Sequence, residues 1–278
     1  MIIDSHQHFW DPARATYSWM TDDLASIRRR FQLADLEPLV AACNVSHTIA
    51  VQARAHVDET TDLLAIGSQS ELVAGVIGWV DLTAANVEET LAELRSMPGG
   101  EKLVGIRHQV HDEPDPSWLL RDDVQRGLAA VGASDLVFDL LVRSRELAAA
   151  FETAKLHPSI TFVLDHLAKP PIFGSADRGW ALGVERLSTL PNVAVKLSGL
   201  VTEADWQRWT LAQLEPFVSR AFDWFGADRV LFGSDWPVCT LAASYEDIFL
   251  AYRDLARNVD PGGVDRVLGS NAERIYRL

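Results

Sequence analysis

Cysteine is almost absent from this chain: 278 residues hold two, Cys43 and Cys239. Two thiols with no CxxC spacing cannot build a disulfide framework, so both read as buried thiols in a reducing compartment. Positive charge is scarce as well. Twenty-five Lys and Arg face thirty-nine Asp and Glu, a formal net charge of −14, which argues against nucleic acid and anionic membrane as partners because both require a basic surface. No apolar run is long enough to span a bilayer, and the first residues lack a basic segment leading into an apolar one. The expected location is therefore the cytoplasm. Low-complexity tracts, linkers and internal repeats are missing too, which leaves one domain over residues 1–278. Apolar residues make up 48% of the chain, ample for a large core.

What is present is alternation of strand and helix. Strand-like runs read at Thr48–Gln52, Val73–Val80, Leu103–Ile106, Leu136–Val142, Ile160–Leu164, Val193–Ser198 and Arg229–Asp235, with an opening strand from Met1 that ends near Ser5. Helical patterns fall between them, at Leu33–Ala42, Val57–Ser70, Thr83 to Leu94, Trp118–Val131, Ser144–Leu156, Trp180–Leu190, Asp205–Phe225 and Ser244–Leu255, with a last short one at Asn271–Tyr276. Trp10 to Phe31 reads as a long loop of the kind that usually serves function. Strands this apolar belong to a parallel sheet covered on both faces. Eight such units predict an α/β fold of the (β/α)₈ barrel type, with a doubly wound sheet as the alternative because alternation alone does not show closure.

Polar residues gather at the C-terminal ends of those strands, where barrels place their chemistry. His6 and His8 project to one side of the opening strand; Arg107 and His108 follow strand four, Asp139 lies on strand five, and His166, Lys196 and Asp235 end strands six to eight. Imidazole is both a metal ligand and a proton carrier near neutral pH, and a histidine pair on one face suits Zn²⁺. Lysine within an apolar strand needs a partner. Read blandly, His166 is a satisfied core histidine and Asp139 caps a turn, and Asp139 is left out of the site. His47, His56, His111 and His157 sit at element edges, where solvation explains them.

The segments I-D-S-H-Q-H-F-W-D-P, V-L-D-H-L-A-K-P, V-K-L-S-G-L, F-G-S-D-W-P-V and S-N-A-E-R-I-Y-R-L together resemble the amidohydrolase superfamily. Within it they are similar to the amidohydrolase-related branch that holds fuconolactonase-type sugar lactonases and 2-pyrone-4,6-dicarboxylate lactonase. The resemblance implies a (β/α)₈ barrel and hydrolysis at a carbonyl centre, with Asp235 as general base and His6, His8 and His166 around the reacting group. Many superfamily members bridge two metals through a Lys or Glu after strand four; Arg107-His108 stands there, and strand five offers Asp139 in place of a histidine. Either one Zn²⁺ or other divalent metal sits among His6, His8 and Asp235, or there is none, and no organic cofactor is implied.

The expected activity is opening of a sugar lactone such as an L-fucono-, L-galactono- or L-rhamnono-lactone. Catalysis is assigned to Asp235, His166, His108 and Arg107, and substrate contacts to Lys196, Trp10, Trp19 and Trp236, since sugar rings stack on indole and the chain holds nine tryptophans. A 2-pyrone-4,6-dicarboxylate-type lactonase, a metal-dependent decarboxylase on the same barrel and a sugar-binding protein without turnover are the competing readings. Homo-oligomerisation stays open.

Overall fold

The structure, a computed structural model, describes residues 1–174 and 177–278. Its eight strands are β1 Ile3–Gln7, β2 His47–Val51, β3 Val73–Gly78, β4 Leu103–His108, β5 Val137–Leu140, β6 Phe162–Leu164, β7 Val193–Leu197 and β8 Val230–Phe232. They pair in parallel and in sequence order. The ring closes where β8 returns to β1: His8 N–H donates to the Trp236 carbonyl at 2.7 Å and Asp235 N–H to that of His6 at 2.8 Å. The Ser5 hydroxyl adds a bond to the Phe232 carbonyl at 2.6 Å. This is the (β/α)₈ barrel that the alternation predicts.

The helices around it are α1 Leu33–Ala42, α2 Val57–Gly67, α3 Val87–Ser96, α4 Asp122–Ala133, α5 Leu147–Leu156, α6 Arg178–Ser188, α7 Leu211–Phe225 and α8 Tyr245–Val259, with α9 Asn271–Tyr276 at the end. One apolar core fills the layer between strands and helices. A second lies inside the ring, where Ile3, Ile49, Ile77, Val137, Val163 and Leu231 meet Ile275 and Tyr276 of α9. Ile3 and Val137 open their strands, and Val163 and Leu231 stand second in theirs, so α9 stops the end of the barrel opposite the site.

Three elements differ from the sequence expectation. The expected helix Trp118–Val131 is a 3-10 turn, Trp118–Leu120, followed by α4. The helix expected from Asp205 begins at Leu211, because Asp205 turns its carboxylate onto the Gln207 N–H and the Arg208 guanidinium instead; a capping box of Thr210 and Gln213 starts α7. The loop after β1 contains a 3-10 stretch, Asp22–Ile27, and is pinned across its base by paired backbone bonds between Trp10 and Phe31. No helix among the described residues is long and apolar enough to cross a membrane.

Candidate active site

The site begins with the seam between β1 and β8. Asp4, fully buried, accepts from the N–H groups of His6 (3.1 Å) and Ser234 (2.8 Å) and from the Tyr245 hydroxyl (3.0 Å). That clamp sets the ends of the two strands against each other and brings His6 and His8 to Asp235. His8 Nδ1 lies 2.7 Å from the Val51 carbonyl; a carbonyl only accepts, so Nδ1 carries a hydrogen, and Nε2 points to Asp235 Oδ1, 3.4 Å away. His6 Nε2 lies 3.7 Å from the same oxygen, and its Nδ1 lies 3.4 Å from Asp165 Oδ1.

Beneath His6 two cations and two carboxylates form a closed buried set. Arg107 Nη1 donates to Asp165 Oδ2 at 3.0 Å and approaches His6 Nε2 at 3.2 Å, while its other nitrogens bond both oxygens of Gln52. Lys196 Nζ donates to Asp139 Oδ2 at 2.5 Å and lies 3.2 Å from Asp165 Oδ1 and 3.3 Å from His6 Nδ1. Burying four charges is costly unless every one is paired, and here each is. Burial alone would raise the Asp165 carboxyl, but Lys196 and then His6 hold it well below the usual carboxylate range. Asp139, also raised by burial, is pushed up to about 6 despite Lys196. Burial, against the pull of Asp165, keeps His6 neutral far below the ordinary imidazole range.

His166 arrives on an unusual piece of backbone. After β6 the four residues His166, Leu167, Ala168 and Lys169 all have positive φ, between 50° and 55°. Each such non-glycine residue costs about 1–2 kcal/mol. The turn is held by burial of Leu167 and Ala168, by a 2.8 Å bond from the Trp180 indole to the Leu167 carbonyl, and by Lys169 to Glu203 at 2.9 Å. It aims the imidazole at Asp235, with Nδ1 2.9 Å from the Ser198 hydroxyl. Asp235 itself sits at φ 58. Burial lowers His166 to about 4, so it is neutral at pH 7. Burial on its own would raise Asp235, but His166, then His8 and His6, outweigh it and keep this carboxyl below its usual range, hence ionised.

The structure brings together His6, His8, Arg107, His166 and Asp235 from the sequence-predicted set. Four expectations are revised. Lys196 is fully buried beneath His6, so it supports the site and does not contact a substrate. His108 has both ring nitrogens engaged: Nδ1 accepts from the Trp79 indole at 2.9 Å, Nε2 meets Glu113 Oε1 at 2.8 Å, and the ring stacks on Trp118. It braces a wall and has no free nitrogen for catalysis. Trp10 is buried with its indole N–H on the Ile27 carbonyl and its ring along His8. Trp236 is buried between Phe9 and Phe31; neither indole presents a face for a sugar. Trp19 remains near the mouth, half-buried, bonded to the Ala53 carbonyl at 2.7 Å. With Arg54, His108 and Glu113 it lines a cavity of about 190 Å³, whose walls do not include Asp235 or His166. A larger groove, about 900 Å³, lies outside the barrel between the β1–α1 loop and α2 and does not reach Asp235.

Asp165, Asp139, Gln52 and Ser198 were missed as members of the site. The signal was charge balance: two cations at strand ends inside an apolar barrel require two carboxylates. His111, expected to be solvated, is mostly buried, and burial followed by Lys169 and Arg143 lowers it to about 3.

Among the described residues, two groups of side chains have the ligand types and closeness to hold a metal: His6, His8 and Asp235, and His6, Asp165 and His166. The first fits better. His8 Nε2 and His6 Nε2 lie 3.4 and 3.7 Å from the same Asp235 oxygen, two imidazole nitrogens and a carboxylate converging on one point, and the Val51 carbonyl orients the His8 ring as outer-shell partners of zinc ligands do. In the second, Asp165 is already occupied by Arg107 and Lys196.

The family model described as "Amidohydrolase" matches residues 3–278. Two relatives named L-fucono-1,5-lactonase are similar over 99% of this chain: one from Burkholderia ambifaria at 39% identity, covering 95% of that protein, and one from Burkholderia multivorans at 40%, covering 96%. A crystal structure of an amidohydrolase from Burkholderia multivorans with bound zinc superposes with a TM-score of 0.94 at 39% identity, over 100% of this chain and 99% of the other.

Proposed function

The chain belongs to the amidohydrolase family, and from that premise we propose that it hydrolyses the ester ring of a sugar lactone of the L-fucono-lactone type, with Asp235 as general base. The observation that carries this reading is the placing of Asp235 at the C-terminal mouth of the barrel, with His6 and His8 nitrogens 3.7 and 3.4 Å from one of its oxygens and His166 beside it. The identity to two L-fucono-1,5-lactonases over nearly the whole chain supports the substrate class.

Asp235 takes a proton from water as the water oxygen bonds to the lactone carbonyl carbon, and returns it to the ring oxygen as the C–O bond breaks. Neutral His166, fixed by Ser198 on one nitrogen, holds the carbonyl oxygen with the other. Arg107, immobilised by Gln52 and Asp165, places a permanent positive charge behind His6 that favours the developing oxyanion. His8 keeps Asp235 in place from the opposite side. Trp19 and the cavity beside it are the contact surface for the sugar hydroxyls. A divalent ion, when bound, would be held by His6, His8 and Asp235 and would supply Lewis-acid charge and a more acidic water.

The test is ring opening of L-fucono-, L-rhamnono-, L-galactono- and D-arabinono-lactones, followed by a pH indicator, with and without chelator. Asp235→Asn is expected to lose about a thousandfold in kcat, the range of general-base catalysis. Loss of activity on chelation, restored by Zn²⁺, assigns a metal to the three ligands; unchanged turnover assigns a metal-free site. If no lactone is opened faster by the wild type than by Asp235→Asn, the reading is wrong.

A further inference from the structure

The barrel interior is polar along a line that runs from the stopper helix to the site. Tyr276, on α9, is fully buried, and its hydroxyl donates to Asp139 at 2.9 Å from Oδ1 and 3.1 Å from Oδ2. Asp139 takes its other hydrogen bond from Lys196, at 2.5 Å, and Lys196 stands 3.3 Å from His6 Nδ1 and 3.2 Å from Asp165 Oδ1. The Lys196 ammonium also lies 5.4 Å from the centre of the Tyr276 ring, within cation–π range. Both the hydroxyl and the ring of Tyr276 therefore address the Lys–Asp pair.

A stopper needs no hydroxyl. Ile275 and Ala272 do the same packing with apolar side chains, and a phenylalanine would fill the Tyr276 volume without burying a polar group. The phenol instead supplies Asp139 with a donor, one hydroxyl hydrogen facing both carboxylate oxygens. Burial and the facing carboxylate keep it protonated far above the ordinary phenol range, so it donates at every working pH. With it, Asp139 is anchored from below and fixes one Lys196 hydrogen. Without it, Asp139 has only Lys196 to turn to, and the ammonium is drawn away from His6 and Asp165.

We propose that Tyr276 is a positioning residue for the reaction: from the far end of the barrel its phenol holds Asp139, through Asp139 it holds Lys196, and through Lys196 it sets the ring of His6 beside Asp235. The kinetic part of this statement rests on the lactonase reading; the structural part does not.

The experiment compares wild type, Tyr276→Phe, Asp139→Asn, the double variant and Ile275→Ala, each as the full chain. On the best lactone, Tyr276→Phe is expected to lower kcat about tenfold, as small misplacements in active sites do, with KM within about twofold. The double variant should be no slower than Asp139→Asn alone, because the two act through one path. Ile275→Ala, which loosens the same stopper without touching the phenol, should lower the melting temperature and leave kcat unchanged. In parallel, the ring ¹⁵N shifts of His6 are read at one fixed pH in histidine-labelled protein, with no substrate present, and should move in Tyr276→Phe and stay in Ile275→Ala. Wild-type kcat in Tyr276→Phe, additive losses in the double variant, or an unmoved His6 signal would each overturn the proposal. If the wild type opens no lactone, the activity reading fails by itself and the His6 signal alone decides. If Tyr276→Phe does not fold, Asp139→Asn, which alters the other end of the same bond, takes its place in both readouts.

Discussion

At Gly199 the backbone passes so close to the site that a Cβ there would stand 2.7 Å from His166 Nδ1 and 3.0 Å from Asp235 Oδ2, and the residue's φ of +62° already excludes most side chains. Gly199→Ala is therefore expected to cost about 1–2 kcal/mol in stability from the backbone alone. It should also lower kcat by more than about tenfold, because both groups it strikes are displaced. Thermal melts and steady-state kinetics check the two parts separately; an alanine variant with wild-type kcat would mean that His166 and Asp235 tolerate displacement. At this scale much of the site was legible in the sequence. His6, His8, Arg107, His166 and Asp235 stand out as polar residues closing apolar strands, and the structure gathers all five. Roles were less legible than positions. Lys196 and Arg107 look alike in sequence, yet only their partners show that both are braced from below, and Asp165 is hidden by the more conspicuous histidine that follows it.

Among the elements, the turn from β2 into α2 depends on a single carboxyl. Glu59 is buried, and its Oε2 accepts from the N–H groups of Ala53 (2.9 Å) and Arg54 (2.7 Å), the segment that also carries the Trp19 contact. Burial pushes Glu59 up from 4.5 to about 7, with those backbone donors opposing. The folded state thus holds this proton at pH values where the unfolded chain has released it. Its contribution is complete below about pH 4.5 and is lost as pH rises to about 7. Urea unfolding at pH 5 and pH 8 should show wild type losing up to about 3 kcal/mol relative to Glu59→Gln across that window. Parallel pH curves for the two proteins would refute it. Element positions were readable because the apolar runs are dense, but the left-handed turn at residues 166–169 was not. It contains no glycine or asparagine to advertise positive φ, and only tertiary burial and the Trp180 and Lys169 bonds impose it.

For the molecule as a whole, alternation along the chain made the barrel legible, but closure was not, since it rests on bonds between residues at opposite ends of the chain. The seam between β1 and β8 joins backbone pairs to the carboxylate of Asp4, whose three donors would be left buried and unpaired in Asp4→Ala. Loss of about 3 kcal/mol or more in chemical denaturation is expected; a loss below about 0.5 kcal/mol, typical of a surface change, would show that the backbone pairs close the ring unaided.

That seam also has a consequence for biosynthesis. Asp4 and Ser234 are 230 residues apart, so the first strand leaves the ribosome long before the partner that completes it exists. Until β8 emerges, the growing sheet carries two open edges, and Asp4, His6 and His8 wait in water for the residues that will neutralise or orient them. Non-local pairing of this kind is slow, and open edges invite association with other nascent chains. Slower translation and chaperone capture ahead of β8 should therefore affect the yield of this protein more than the same pause placed earlier. The chemistry at the mouth is the last thing the barrel acquires, even though its first strand already brings His6 and His8.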